Sequence, residues 1–289
     1  MISIGTLGFS GLYKEVSTKS FYKILKKIVN SKKKVELHSS SAYEILNKDL
    51  NKIIARFIQE TEIPVHLKLF SQPEEFETNK LIVEEIESYK ELFGDNLKSI
   101  FIHKPLKKKR KIPFIVKEIK KLNIKAGVCL EQPINDLIEN KNIDYFEIPL
   151  NLLDLKNNLD IVFLCKENNK KVFARSLLAS GLLSGQNIYK KEYFDIFRKR
   201  FEESPNLKLR QSKAKSINNF YKSLNSPKNK SFEWFCYDMI KIFINPDYLI
   251  FGGSNLNQIN MNLDYDFFNE YNLEDNLDSL ILDWSAPYF

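Results

Sequence analysis

Cysteine is scarce in this chain. The three in 289 residues, Cys129, Cys165 and Cys236, are too far apart to pair as metal ligands or to staple a small fold. A reduced, cytoplasmic protein is the expectation. Nowhere does an apolar run approach the ~20 residues of a membrane span, and the opening MISIGTLGFSG is too short and too glycine-rich for a signal peptide. The glycine fingerprint of an open nucleotide-binding sheet, GxGxxG after the first strand, is missing, because GTLGFSG has a different spacing. Linkers, internal repeats and low-complexity tracts are lacking too, so residues 1–289 read as one domain. Acidic residues are in deficit, 37 against 44 lysines and arginines, for a net charge of +7. Most of that excess is scattered over helical stretches, and only Lys104–Lys111 is a concentrated basic run. Neither nucleic acid nor a membrane is expected as a partner.

What is present is alternation. Phe21, Ile24, Leu25 and Ile28 recur at helical spacing, then comes the strand-like Val35–His38. A helical stretch over Glu44–Ile58, a strand over Ile63–Phe70 and helical spacing at Ile82, Val83, Ile86 and Tyr89 follow. Ser99–His103 reads as a strand, Phe114–Leu122 as a helix, Ala126–Leu130 as a strand and Ile134–Ile138 as a short helix. Tyr145–Leu150, Val172–Ser176 and Tyr248–Phe251 complete the strands, with a helix over Asp154–Asn168. About eight βα units without a break in composition predict a parallel (β/α)8 barrel. The polar stretch at about 191–230 has a helical beginning and a loop-like end, and reads as an insertion before the last unit.

In such a barrel the active site lies at the carboxyl ends of the strands. Only three histidines exist, and all lie in these strands: His38 closes Val35–His38, His66 precedes Lys68, and His103 closes Ser99–His103. Residues two apart on a strand share a face, so Glu36 lies beneath His38 and His66 beneath Lys68. A tyrosine (Tyr43, five residues after His38), a lysine and a histidine delivered by successive strand ends suit proton transfer to a carbonyl oxygen.

The chain resembles the aldo-keto reductase family, in order and over nearly its whole length. Gly5-Thr6-Leu7-Gly8-Phe9 resembles the family's first hairpin, and His38-Ser39-Ser40-Ser41-Ala42-Tyr43-Glu44 its DTAxxYG stretch. Val65–Leu69 is similar to the strand with the catalytic lysine, and SIFIHKP (99–105) to that with the catalytic histidine. Ala126–Cys129 and Ile148–Leu153 resemble the next two strands. VFARSLLASGLLSG (172–185) and LIFGGSNLNQINMN (249–262) are the closest matches, to the seventh and eighth strands with their loops.

The resemblance implies reduction of an aldehyde or ketone, a sugar or nucleotide-sugar carbonyl among the options, with NADPH or NADH as cofactor and no metal. Tyr43 would be the general acid, Lys68 would favour its phenolate, and His103 would orient the carbonyl oxygen. Cys129 and Glu147 stand at the nicotinamide contact, in place of the family's serine-asparagine and glutamine. The cofactor's phosphates would meet backbone near Ser176, Leu177, Gly181, Gly252, Gly253 and Ser254, with Gln258 and Asn262 on the following helix. His38 occupies the place of the aspartate that pairs with the catalytic lysine. Glu36 is the nearest carboxylate to supply that charge, unless it pairs with His66. Two other readings stay open: a metal-dependent hydrolase or isomerase using His38, His66 and His103, and a barrel without catalysis. The basic run after His103 could attract an acidic substrate.

Overall fold

In the computed structural model the described residues are 2–13, 15–45, 47–69, 78–105, 109–185, 204–224, 230–271 and 283–285, with 199, 202 and 273. The elements run β1 (Ile2–Gly5), α1 (Thr18–Val29), β2 (Val35–Ser40), α2 (Leu50–Ile58), β3 (Val65–Leu69), α3 (Asn79–Phe93), β4 (Leu97–Ile102), α4 (Ile112–Lys121), β5 (Lys125–Cys129) and α5 (Asn135–Ile138). They continue with β6 (Tyr145–Pro149), α6 (Leu155–Glu167), β7 (Lys171–Arg175), α7 (Leu207–Ser223), α8 (Phe232–Phe243), β8 (Tyr248–Gly252) and α9 (Leu256–Asp264). The eight strands pair in parallel and in chain order, and β8 closes on β1, giving the expected (β/α)8 barrel.

Strand parity builds two cores. Leu37, Leu67, Ile100, Ile102, Val128, Phe146 and Val172 point outward and are sealed by the apolar faces of the surrounding helices. Ser17, Thr78, Ser231 and Asn255 start four of those helices by accepting the backbone N–H three residues on. The opposite parity fills the lumen. Phe101, Phe173, Cys129 and Ile250 form a separate apolar cluster there, with Tyr145 and Tyr248 against it. Phe173 and Tyr248 stack at 3.9 Å. The rest of the lumen is polar, where such barrels usually carry branched aliphatic side chains: Glu36, His38, His66, Lys68, Ser99 and Glu147 are all buried.

Two local expectations differ from the structure. The opening is no hairpin: Ile2–Gly5 is a barrel strand, and Thr6–Phe9 forms a 3-10 turn. An added Cβ at Gly8 would lie 2.0 Å from the Gly253 carbonyl oxygen, so that turn is pressed backbone to backbone against the loop after β8. The second helix starts at Leu50 rather than Glu44, because Ser41–Ile45 winds as a separate 3-10 turn. The segment expected as an insertion contains a 17-residue helix, Leu207–Ser223. Its residues 191–198, 200, 201, 203 and 225–229 lie outside the described residues. No described helix is long and apolar enough to cross a membrane.

Candidate active site

The strand ends β2, β3, β4, β6 and β7 deliver one cluster to the C-terminal rim of the lumen. Lys68, on β3, reaches across to Glu147 on β6, with Nζ 3.1 Å from Oε1 and both side chains buried. Arg175, the last residue of β7, brings Nε to 3.2 Å from the same oxygen. Nε2 of His38 faces the other oxygen, Oε2, at 3.1 Å without the alignment of a hydrogen bond. The carboxylate opposite Lys68 is therefore Glu147, not a residue of β2. Glu36 pairs with His66 in the layer below, Oε2 to Nε2 at 3.1 Å, and His66 Nδ1 shares a 2.6 Å hydrogen bond with Ser99 Oγ.

Electrostatics follows from this hub. Burial alone would raise the Glu147 carboxyl, but Lys68, His38 and Arg175 around it hold it down at about 2. Burial alone would strip the proton from Lys68, yet Glu147, with help from Tyr43, raises its pKa above the usual lysine value. His38 is pushed well below its ordinary value, by burial and then by Lys68 and the other two histidines, against the pull of Glu147. His103 falls to about 3 by burial and the charge of Lys68. At neutral pH the cluster holds a lysine ammonium and a carboxylate flanked by two neutral imidazoles. Burial and Glu147 push the Cys129 thiol well up, so it stays protonated.

Tyr43 is held beside this pair by its own turn. Ser40 Oγ donates to the Lys68 carbonyl oxygen at 3.1 Å and accepts from the Ala42 amide at 3.2 Å. Asn51 donates to the Ser40 carbonyl oxygen and accepts from Ser39, whose hydroxyl also accepts from Thr6. Glu44 accepts from the Asn51 amide and the Tyr89 hydroxyl. The result places Lys68 Nζ 5.3 Å from the centre of the Tyr43 ring. His103 lies one residue beyond β4, its amide bonded to the Leu69 carbonyl oxygen at 2.9 Å, and its Nδ1 finds no hydrogen bond among the described residues.

The residues expected at a cofactor lie in the loops after β7 and β8. Ser176 (φ 57°), Ala179 (φ 47°), Ser180 (φ 58°) and Gly181 (φ 94°) adopt left-handed backbone that favours glycine, strain of the kind that collects at ligand-binding loops. Leu177 is buried, so only its backbone can serve a ligand. Gly252 is exposed and an added Cβ there would meet nothing within 4 Å, which leaves bare backbone at the end of β8, three residues before Asn255 caps α9. Gln258 Oε1 accepts from the Ser254 amide (2.8 Å) and hydroxyl (3.2 Å), closing the turn into α9. Asn262 is buried and donates to the Gly252 carbonyl oxygen at 2.9 Å. These two loops fit a group with phosphates. Glu147, engaged by Lys68 and Arg175, is committed within the site.

His38 and His66 stack at 5.9 Å, one layer apart. Among the described residues no three histidine, cysteine or acidic side chains are grouped to hold a metal ion. Arg175 and Glu131 are site residues beyond those expected from the sequence, although a charged residue closing a strand on the lumen face is a signal of the same kind as His38.

The closed parallel barrel resembles two solved structures over nearly the whole chain. The glycerol dehydrogenase AKR11B4 from Gluconobacter oxydans superposes with a TM-score of 0.73 and 18% identity, covering 98% of this chain and 90% of its own. The aldo-keto reductase AKR11C1 from Bacillus halodurans, in its holo form, does so with a TM-score of 0.72 and 13% identity, over 99% and 92%. At such identities the likeness is one of fold. No family model matches the sequence, and no curated protein matches it.

Proposed function

We propose that the chain is a nicotinamide-dependent oxidoreductase that reduces the carbonyl of a small molecule, with Tyr43 as general acid. The observation that carries this reading is the buried Lys68–Glu147 ion pair beside Tyr43. A free tyrosine titrates near 10 and needs a fixed positive charge to release its proton at neutral pH. Lys68 provides that charge, and Glu147 keeps Lys68 protonated. His103, neutral, is free to hydrogen-bond the carbonyl oxygen and set its angle. As negative charge grows on that oxygen, Tyr43 transfers its proton to it, and the phenolate is stabilised by the Lys68 ammonium until solvent restores the proton. A bound NADPH or NADH would supply the hydride. The loops at Ser176–Gly181 and Gly252–Ser254 would hold its phosphates. No lysine or arginine follows Ser254, whose neighbour Asn255 caps α9 instead, so the two cofactors are to be compared directly. The three free, buried cysteines suit a cytoplasmic location.

The test is a fluorescence titration with NADPH and NADH, followed by turnover against aldehydes and ketones. Tyr43→Phe is expected to lower kcat by about 10²–10⁴-fold, the usual worth of a general acid, with cofactor affinity nearly intact. Retained turnover in Tyr43→Phe would sink the assigned acid.

A further inference from the structure

Two cations and two carboxylates meet at the rim of the lumen. Lys68 and Arg175 are permanent cations that share one carboxylate oxygen of Glu147, at 3.1 and 3.2 Å. A second carboxylate, Glu131 in the loop after β5, accepts from Arg175 Nη2 through Oε1 at 2.8 Å, and Arg175 Nη1 donates to Ser176 Oγ at 3.4 Å. The two ends of that second pair differ in kind. The Arg175 side chain is 21% exposed and braced against buried Glu147, whereas the Glu131 side chain is 66% exposed. An ion pair with so exposed a partner contributes little, and Glu131 is free to swing into solvent when a better anion arrives.

We propose that Arg175 anchors a carboxylate of the substrate, and that the substrates are α-oxo carboxylates; this rests on the reductase reading above. Because Arg175 and Lys68 are separated by a single carboxylate oxygen, an anion held by the guanidinium lies next to a carbonyl oxygen held by Tyr43, Lys68 and His103. An α-oxo acid has its carbonyl and carboxylate on adjacent carbons and matches that spacing. The planar guanidinium suits the planar carboxylate. In the reaction the carbonyl carbon would take a hydride from a bound reduced nicotinamide while Tyr43 gives a proton to its oxygen. An α-hydroxy acid and oxidised cofactor leave, and the carboxylate is unchanged. Exposed Lys104, next after His103, adds positive potential that draws anions to the mouth.

The experiment measures calorimetric binding of oxamate, an unreactive analogue of an α-oxo acid, to the full-length protein with and without NADPH. It is paired with steady-state reduction of pyruvate and of a neutral aldehyde. Arg175→Lys, which keeps the charge and loses the fork, is expected to weaken oxamate roughly tenfold and to raise KM for pyruvate more than it lowers kcat. Glu131→Gln, at an exposed position, is expected to tighten oxamate and lower KM for pyruvate. Oxamate affinity unmoved by both substitutions, or absent altogether while the neutral aldehyde is reduced, overturns the anchor and leaves the reductase reading standing. Oxamate binding that depends on Arg175, with no hydride transfer to any carbonyl, supports the anchor and removes the reductase reading.

Discussion

A lysine buried among aromatic rings keeps its proton only when a carboxylate compensates for the lost water. Lys68 meets that condition through Glu147, which lies on the far side of the lumen from the strand whose end carries His38. Glu147→Gln should lower kcat by roughly 100-fold, within the range of general acid–base catalysis. It should also reduce unfolding free energy by about 3–5 kcal/mol, because it leaves buried Lys68 and half-buried Arg175 facing a neutral amide. Glu147→Asp should recover part of both. Steady-state kinetics and urea unfolding check this, and full activity in Glu147→Gln would remove Glu147 from the proton chemistry. The strand-end residues were legible in the sequence, because parity alone puts His38 above Glu36 and Lys68 above His66. The partner of Lys68 was not, since a contact between β3 and β6 exists only once the barrel has closed. Arg175 was hidden differently: it lies inside VFARSLL, a stretch read for its glycine loop rather than its charge.

Among the elements, the strands from β2 to β8 were readable from short apolar runs, while β1 was not. Ile2–Gly5 is only four residues long and leads directly into a turn, so its membership of the sheet depends on pairing with both β2 and β8. That turn has a further role. Gly8 presses on the Gly253 carbonyl and so fixes the loop after β8, where a cofactor's phosphates would bind. Gly8→Ala should therefore weaken cofactor binding as well as stability, the latter by about 1–3 kcal/mol, as for other overpacked sites. Cofactor titration and thermal unfolding of the same variant test the coupling. A loss of stability with unchanged cofactor affinity would separate the turn from the site.

Over the whole molecule, the polar lumen ties stability to pH. His103 titrates at about 3 in the folded chain against an ordinary 6.5, so the unfolded chain binds its proton first. Its contribution is complete above 6.5 and is lost progressively as the pH falls to about 3, and buried His38 shifts in the same direction. Glu147, about 2 against an ordinary 4.5, extends the loss at still lower pH. Urea midpoints measured across this range should fall with acid, and His103→Gln should flatten the upper part of the curve. An equally steep curve in that variant would show that His103 ionises freely in the folded protein. Hydride transfer at the rim of the barrel is read most directly by isotope labelling. NADPH or NADH carrying deuterium at the transferring position is incubated with the protein and a panel of aldehydes, ketones and oxo acids, and the products are analysed by mass spectrometry. One deuterium is expected on the carbinol carbon of an alcohol product with the wild-type protein, and almost none with Tyr43→Phe. No labelled alcohol from either cofactor, or equal labelling in the two proteins, would contradict hydride transfer with Tyr43 as general acid.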